Sequence, residues 1–213
     1  PELSIVDGKL KLAVRGYEEA KIHYTINGSM PTEESPGYKQ AIAIDEDVVL
    51  RAKAFGCGLM KSDYVPVKVN IGEIVKESAV RKSLTEKDVA NIRGALLGVE
   101  LFGSDIGIYL KHLHVNDENM AEVPHSKHGW NDHHFITIPK EKLGGIKTKN
   151  HIKFAGGGAD AYKLRNVTLY VQLQDGSWVK SETEGKIYCP QSKRNWVNSE
   201  GIIKSPIEMD IKF

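Results

Sequence analysis

The chain reads as all-β: a small β-sandwich followed by a larger sandwich or jelly roll. Three observations predict this. Short segments alternate apolar and polar residues with a period of two, the pattern of sheets with one dry and one wet face. They recur between turn residues without a βαβ rhythm. One charged stretch, residues 73 to 92, separates a first set of strands from a second.

In the first set, "KLKLAV" alternates Leu10, Leu12 and Val14 with polar partners. "KIHYTI" places Ile22, Tyr24 and Ile26 on one face and His23 and Thr25 on the other. Asn27-Gly28 follows as a hairpin signal, because both residues tolerate positive φ. Ser29 can tie its hydroxyl back to that turn, and Pro31 blocks continuation of the ladder. "VVLRAKAF" turns Leu50, Ala52 and Ala54 inward. "DYVPVKVNI" does the same with Val65, Val67, Val69 and Ile71, and Pro66 assigns it to a sheet edge or a bulge.

Residues 73–92 then read as a linker with one helical turn, opened by a capping box at Ser83-x-x-Glu86. The domains expected are 1–72, a small sandwich, and 93–213, a larger one.

In the second set, "DIGIYL" exposes one apolar face through Ile106, Ile108 and Leu110, whereas "HLHV" moves it to Leu113 and Val115. That slip predicts a bulge at Lys111 or His112. "FITI" and "HIKF" follow, then the hairpin "NVTLYVQLQDGSWVKS". Its inward residues are Val167, Leu169, Val171 and Leu173, and Asp175-Gly176 would form a type I′ turn. The closing "IEMDIKF" alternates Ile207, Met209, Ile211 and Phe213, so the end of the chain is a docked strand.

Composition narrows the function. The 213 residues carry 29 Lys and Arg, 28 Asp and Glu and eight His, for a formal net charge of +1. No global field draws in nucleic acid or an anionic membrane. No apolar run approaches the ~20 residues that span a bilayer, so membrane insertion is not expected. Two cysteines, Cys57 and Cys189, exclude a disulfide-rich scaffold and allow a single bridge without indicating one. Pro1 is not a natural start, so the chain reads as a piece of something longer.

"IHYTINGSMPT", then "SPGYKQAIAI" and "VVLRAKAFGCGLMKSDYV", resemble the chitobiase and β-hexosaminidase C-terminal type of domain. That type is related to the fibronectin-III-associated modules of secreted bacterial carbohydrate-active enzymes. The likeness rests on Tyr24, Thr25, Gly28, Ser29, Pro31, Thr32, Ser35, Tyr38, Ala52, Ala54 and Phe55, and covers about residues 1 to 71. Asn27 stands where the family has Asp, and Met30 where a polar residue is usual. The resemblance implies an Ig/FnIII-like accessory sandwich without catalytic residues. "LKHLHVNDENMAEVP", "GWNDHHFITIP", "IKTKNHIKF" and "DAYKLRNVTLYVQLQDGSW" are similar, in strand order, to galactose-binding-like jelly rolls. That likeness, over about 95 to 181, implies a fold used for binding sugars or as a spacer.

The densest polar cluster is "PHSKHGWNDHHF". Trp130 is its candidate sugar platform, since an indole face stacks on the C–H face of a pyranose while flanking groups bind hydroxyls. Asn131, Asp132 and His133 supply such groups, Arg165 could reach a ligand carboxylate, and Trp178 and Trp196 invite the same comparison. Core packing competes with this role for all three tryptophans. His112 and His114 share a strand face about 6–7 Å apart, a spacing seen for metal ligands, with His125, His128, His133 or His134 as a third. A structural Ca²⁺ could be held by Asn116, Asp117, Glu118 or Asp160. "AGGGADAY" lacks the ending of a phosphate loop. Asn27-Gly28-Ser29 and Asn166-Val167-Thr168 fit a glycosylation sequon that a bacterial origin would leave idle. No nucleophile elbow, paired glycosidase carboxylates or zinc-protease helix is recognisable.

The expectation is a non-catalytic accessory segment of a secreted bacterial carbohydrate-active enzyme. Its partners would be a glycan and the catalytic domain of the parent chain, and it would need no cofactor beyond a structural Ca²⁺. Two alternatives stand beside it: a metal-dependent hydrolase using the histidine cluster, and a structural spacer or adhesin module.

Overall fold

The computed structural model describes residues 1–15, 20–56, 66–77, 81, 83–104, 110–130, 132–156, 162–190 and 201–213. Among these are fifteen strands, two short α-helices and one 3-10 helix, in two compact units, Pro1–Ala79 and Val80–Phe213.

In the first unit, β1 (Glu2–Val6) and β2 (Lys9–Ala13) form a hairpin. Its turn is Asp7-Gly8, with φ of 49° and 71°, the left-handed pair that a two-residue connection requires. β3 (Lys21–Thr25), β4 (Val48–Phe55) and β5 (Val67–Val69) make a three-stranded antiparallel sheet. β5 lies at its edge, as Pro66 predicts. Leu10, Leu12, Ile22, Leu50, Ala54 and Val69 are buried, whereas Ile26 is 45 % exposed. The expected inward face of "KIHYTI" therefore ends before Ile26, because the chain leaves the ladder at the turn. That turn is not a hairpin between neighbours, since β3 pairs with β4 some twenty residues later. It is an Asx turn: the Asn27 side-chain oxygen accepts from Ser29 N (3.0 Å) and Oγ (2.7 Å), and Gly28 takes φ of 79°. Ile71 does not extend the last strand. It opens α1 (Ile71–Glu77), where Asp47 Oδ1 accepts from its N–H at 2.8 Å.

In the second unit, α2 (Glu86–Val89) is capped two residues later than expected. Thr85, not Ser83, accepts from the Asp88 N–H, and the Asp88 carboxylate accepts from Thr85 N at 2.9 Å. The overlapping Thr-x-x-Asp box wins over Ser-x-x-Glu. Ten strands follow among the described residues, with one 3-10 helix, Lys140–Gly145: β6 (Ile92–Phe102), β7 (Lys111–Val115), β8 (Glu118–Glu122), β9 (Asp132–Ile138), β10 (Lys149–Gly156), β11 (Lys163–Leu173), β12 (Trp178–Glu184), β13 (Tyr188–Cys189), β14 (Ile202–Ile203) and β15 (Ile207–Lys212). They form a four-stranded sheet, β15-β10-β7-β8, and a six-stranded sheet, β14-β13-β11-β6-β9 with β12 also on β11. One continuous apolar core joins the two inner faces. Leu97, Val99, Leu101, Leu169 and Val171 contribute from one sheet and Leu113, Val115, Ile152, Phe154 and Met209 from the other. This is a β-sandwich.

The β11–β12 hairpin buries Val167, Leu169, Val171 and Leu173 as the alternation predicts. Its turn is not type I′, however. Gly176 alone takes positive φ (82°), with its N–H bonded to the Leu173 carbonyl at 2.8 Å, a type I turn closed by a left-handed glycine. Asp175 instead accepts from Ser177 N and Oγ, as Asn27 does for Ser29. Among the described residues of this unit, Asn116-Asp117 between β7 and β8 forms a two-residue left-handed turn, φ 52° and 68°. Ile106 and Ile108 lie outside the described residues, whereas Lys111 and His112, where the slip is expected, pair with Gly156 and Ala155 in regular register. The bulge that is described lies in the β7–β8 pairing, between Leu113 and His114. β15 is docked on β10, with Ile207, Met209 and Ile211 buried.

Candidate functional site

The site lies on the outer face of the six-stranded sheet. On β6, Leu97, Val99 and Leu101 point into the core, so period-two alternation turns Gly98, Glu100 and Phe102 outward. On β11, Lys163 and Arg165 point outward in the same way. There the pairing shifts: Arg165 faces Glu100 but Thr168 faces Gly98, so β11 has one extra residue. Asn166 takes up the excess in the left-handed region (φ 53°), a conformation that asparagine tolerates better than most residues.

This bulge brings two donors to one carboxylate. Arg165 Nε donates to Glu100 Oε2 and Asn166 Nδ2 to Glu100 Oε1, both at 2.8 Å. Burial pushes the Glu100 carboxyl up, but the hydrogen bonds from Asn166 and Arg165 outweigh it and hold the group below the usual carboxylate range. Glu100 is therefore an ionised anchor, the wrong state for a general acid.

Aromatic rings surround the clamp. The Arg165 guanidinium lies 4.3 Å from the centroid of the half-buried Trp130 ring. Phe102 packs on Trp130 at 5.4 Å, and His128 stacks on Phe102 at 5.8 Å with the planes 6° apart. The ring layer continues through His133, Phe135 and Tyr170, with centroid spacings of 4.8 and 5.9 Å. Gly98 is its floor: a Cβ there would meet Tyr170 Cε2 at 3.0 Å and His133 Nε2 at 3.2 Å. Burial pushes the Tyr170 phenol up, which keeps it neutral.

Of the residues singled out by sequence, the fold thus gathers Trp130, Arg165, His128 and His133. Asp132 opens β9 opposite Leu101, and Asn131, Trp196 and Asp160 lie outside the described residues. Trp178 is 1 % exposed and paired with Gln172 across the hairpin, so it has no face to offer a sugar. The histidine cluster divides. His112 and His114 share a strand face, as their spacing predicts, but that is the outer face of the four-stranded sheet, across the core from Trp130. His133 and His134 alternate to opposite sides of β9, and His125 sits exposed in the loop before it. Among the described residues no three His, Cys, Asp or Glu side chains come together as a metal cage. Asn116 donates through Nδ2 to Gly145 O and Asn150 Oδ1 and accepts at Oδ1 from His151 N, so its amide pins two loops and is not open for a Ca²⁺. Asp117 belongs to the tight turn, and Glu118 opens β8 opposite Val115. Cys189 is buried, and Cys57 lies outside the described residues.

Sequence reasoning missed Glu100, Phe102 and Lys163 and read Asn166 only as a sequon. A signal existed for Glu100, a lone carboxylate in the strand "IRGALLGVELF". None existed for Asn166, because a bulge depends on what lies across the ladder.

No helix in the described residues is long and apolar enough to cross a membrane. No curated protein matches the chain. Residues 10–91, which hold the first unit's strands from β2 onward and reach α2, match the family model described as Fn3 associated, and to that family this part of the chain is similar.

Proposed function

We propose that the chain is a non-catalytic accessory segment of a secreted bacterial carbohydrate-active enzyme, the first unit acting as a spacer and the second binding glycan. The Fn3 associated match supports the accessory role of the first unit. The resemblance of the second unit's sequence to galactose-binding-like modules would favour sugar binding. The observation that carries the binding role is Trp130, half-buried and held by Arg165 beside the Glu100–Asn166 pair. The indole is braced by the Arg165 guanidinium and by Phe102, and the exposed part of this half-buried ring would be the apolar surface for a pyranose. Amide and imidazole groups alongside would take the hydroxyls. Glu100, held below the usual carboxylate range by Asn166 and Arg165, suits anchoring and not general-acid catalysis. The parent enzyme's catalytic domain and an extracellular polysaccharide are the partners this implies.

A glycan array with the wild-type chain and Trp130→Ala tests the reading. Wild type should retain at least one glycan class, and the variant should bind it at least about tenfold more weakly with an unchanged thermal melt. A wild-type protein that retains no glycan would overturn it.

A further inference from the structure

Lys163 is unusual in this site. Its residue is 4 % exposed, and its ammonium rests 5.3 Å from the Phe102 ring centroid. Among the described residues no carboxylate pairs with it. Two residues further along the same strand and face, Arg165 commits Nε to Glu100, and no described residue accepts from its two terminal nitrogens. Two cations thus face Trp130 and Phe102, and among the described residues Glu100 is the carboxylate that pairs with one of them. A lysine so covered forgoes hydration, and a cation–π contact compensates for part of that loss.

Resting on the glycan-binding reading of this site, we infer that its ligand is an acidic saccharide, a uronate or sialate whose carboxylate is taken by Lys163 Nζ and the terminal nitrogens of Arg165. The ring would stack on Trp130 while the carboxylate meets the two cations, which stand about 6–7 Å apart along the strand. A neutral sugar would leave the excess positive charge uncompensated in a partly dry site.

Matched pairs test this in one titration series: polygalacturonate against its methyl ester, and sialyllactose against lactose. The expected result is that the acidic member of at least one pair binds about tenfold more tightly, an advantage that shrinks with added salt. Lys163→Met keeps the buried stem and should bring the acidic member's affinity toward that of its neutral match, with the urea midpoint as the folding control. Equal affinity within both pairs overturns the inference and leaves glycan binding standing. An acid preference unchanged in Lys163→Met removes Lys163 from the site. Failure of every glycan, acidic or neutral, on a wider array would sink the binding reading itself.

Discussion

The two outer faces of the larger sandwich use the same residue types to different ends. On the four-stranded sheet, Lys149 and His151 meet Asp210 at 2.9 and 3.1 Å, with half-exposed side chains. His112 and His114 lie on the neighbouring strand with no aromatic ring beside them in the described contacts. On the six-stranded sheet, Arg165 and Asn166 meet Glu100 under a layer of rings, and the side chains are mostly covered. Both carboxylates are held below their usual range, Asp210 by hydrogen bonds from Lys149 and His151 and Glu100 despite its burial. Water and salt screen the first set, while the second is shielded by Trp130 and Phe102. The difference is one inserted residue and one aromatic loop, not charge content.

That contrast can be broken in steps. Glu100→Ala should have the largest effect, because it leaves the Arg165 guanidinium and Asn166 amide without their acceptor in a half-dry site. A loss of about 2 kcal/mol in urea unfolding is expected, together with weaker glycan binding. Gly98→Ala comes next. Its new Cβ would press on Tyr170 and His133, and about 1 kcal/mol should be lost as the rings shift. A wild-type midpoint in that variant would mean the ring layer is not tightly packed.

The pH dependence is smaller and has a fixed sign. Glu100 has a folded pKa below its unfolded value, so its contribution is fully present above the ordinary glutamate pKa of about 4.3 and is lost as pH falls through the lowered folded value. Melting temperatures followed into acid should therefore drop less steeply for Glu100→Gln than for wild type. Asp210→Asn should change least. Its partners are exposed, so a urea midpoint unmoved at moderate salt is the expected outcome, and a clear shift would erase the distinction between the faces.

Legibility followed range. The strands around Leu169 and Met209 were readable because alternation is a local property that burial of one face enforces. The Asn27–Ser29 and Asp175–Ser177 turns were readable as turns, since a short side-chain acceptor two residues before a serine closes the same loop in both. Their exact forms were not, because the partner strand decides whether Asp175 takes positive φ. Trp130 and Arg165 were legible as candidates but not as neighbours.

By itself the sequence determined the all-β class, the buried faces of the long hairpin and the docked C-terminal strand, because each depends on residues two apart. Only the tertiary structure decided that Trp178 is core, that the histidines divide between two sheets, and that Glu100 holds Arg165 and Asn166 beneath Trp130. Those outcomes depend on which strands lie side by side and on a one-residue bulge between them, and pairing across 65 residues of chain leaves no periodic trace along it.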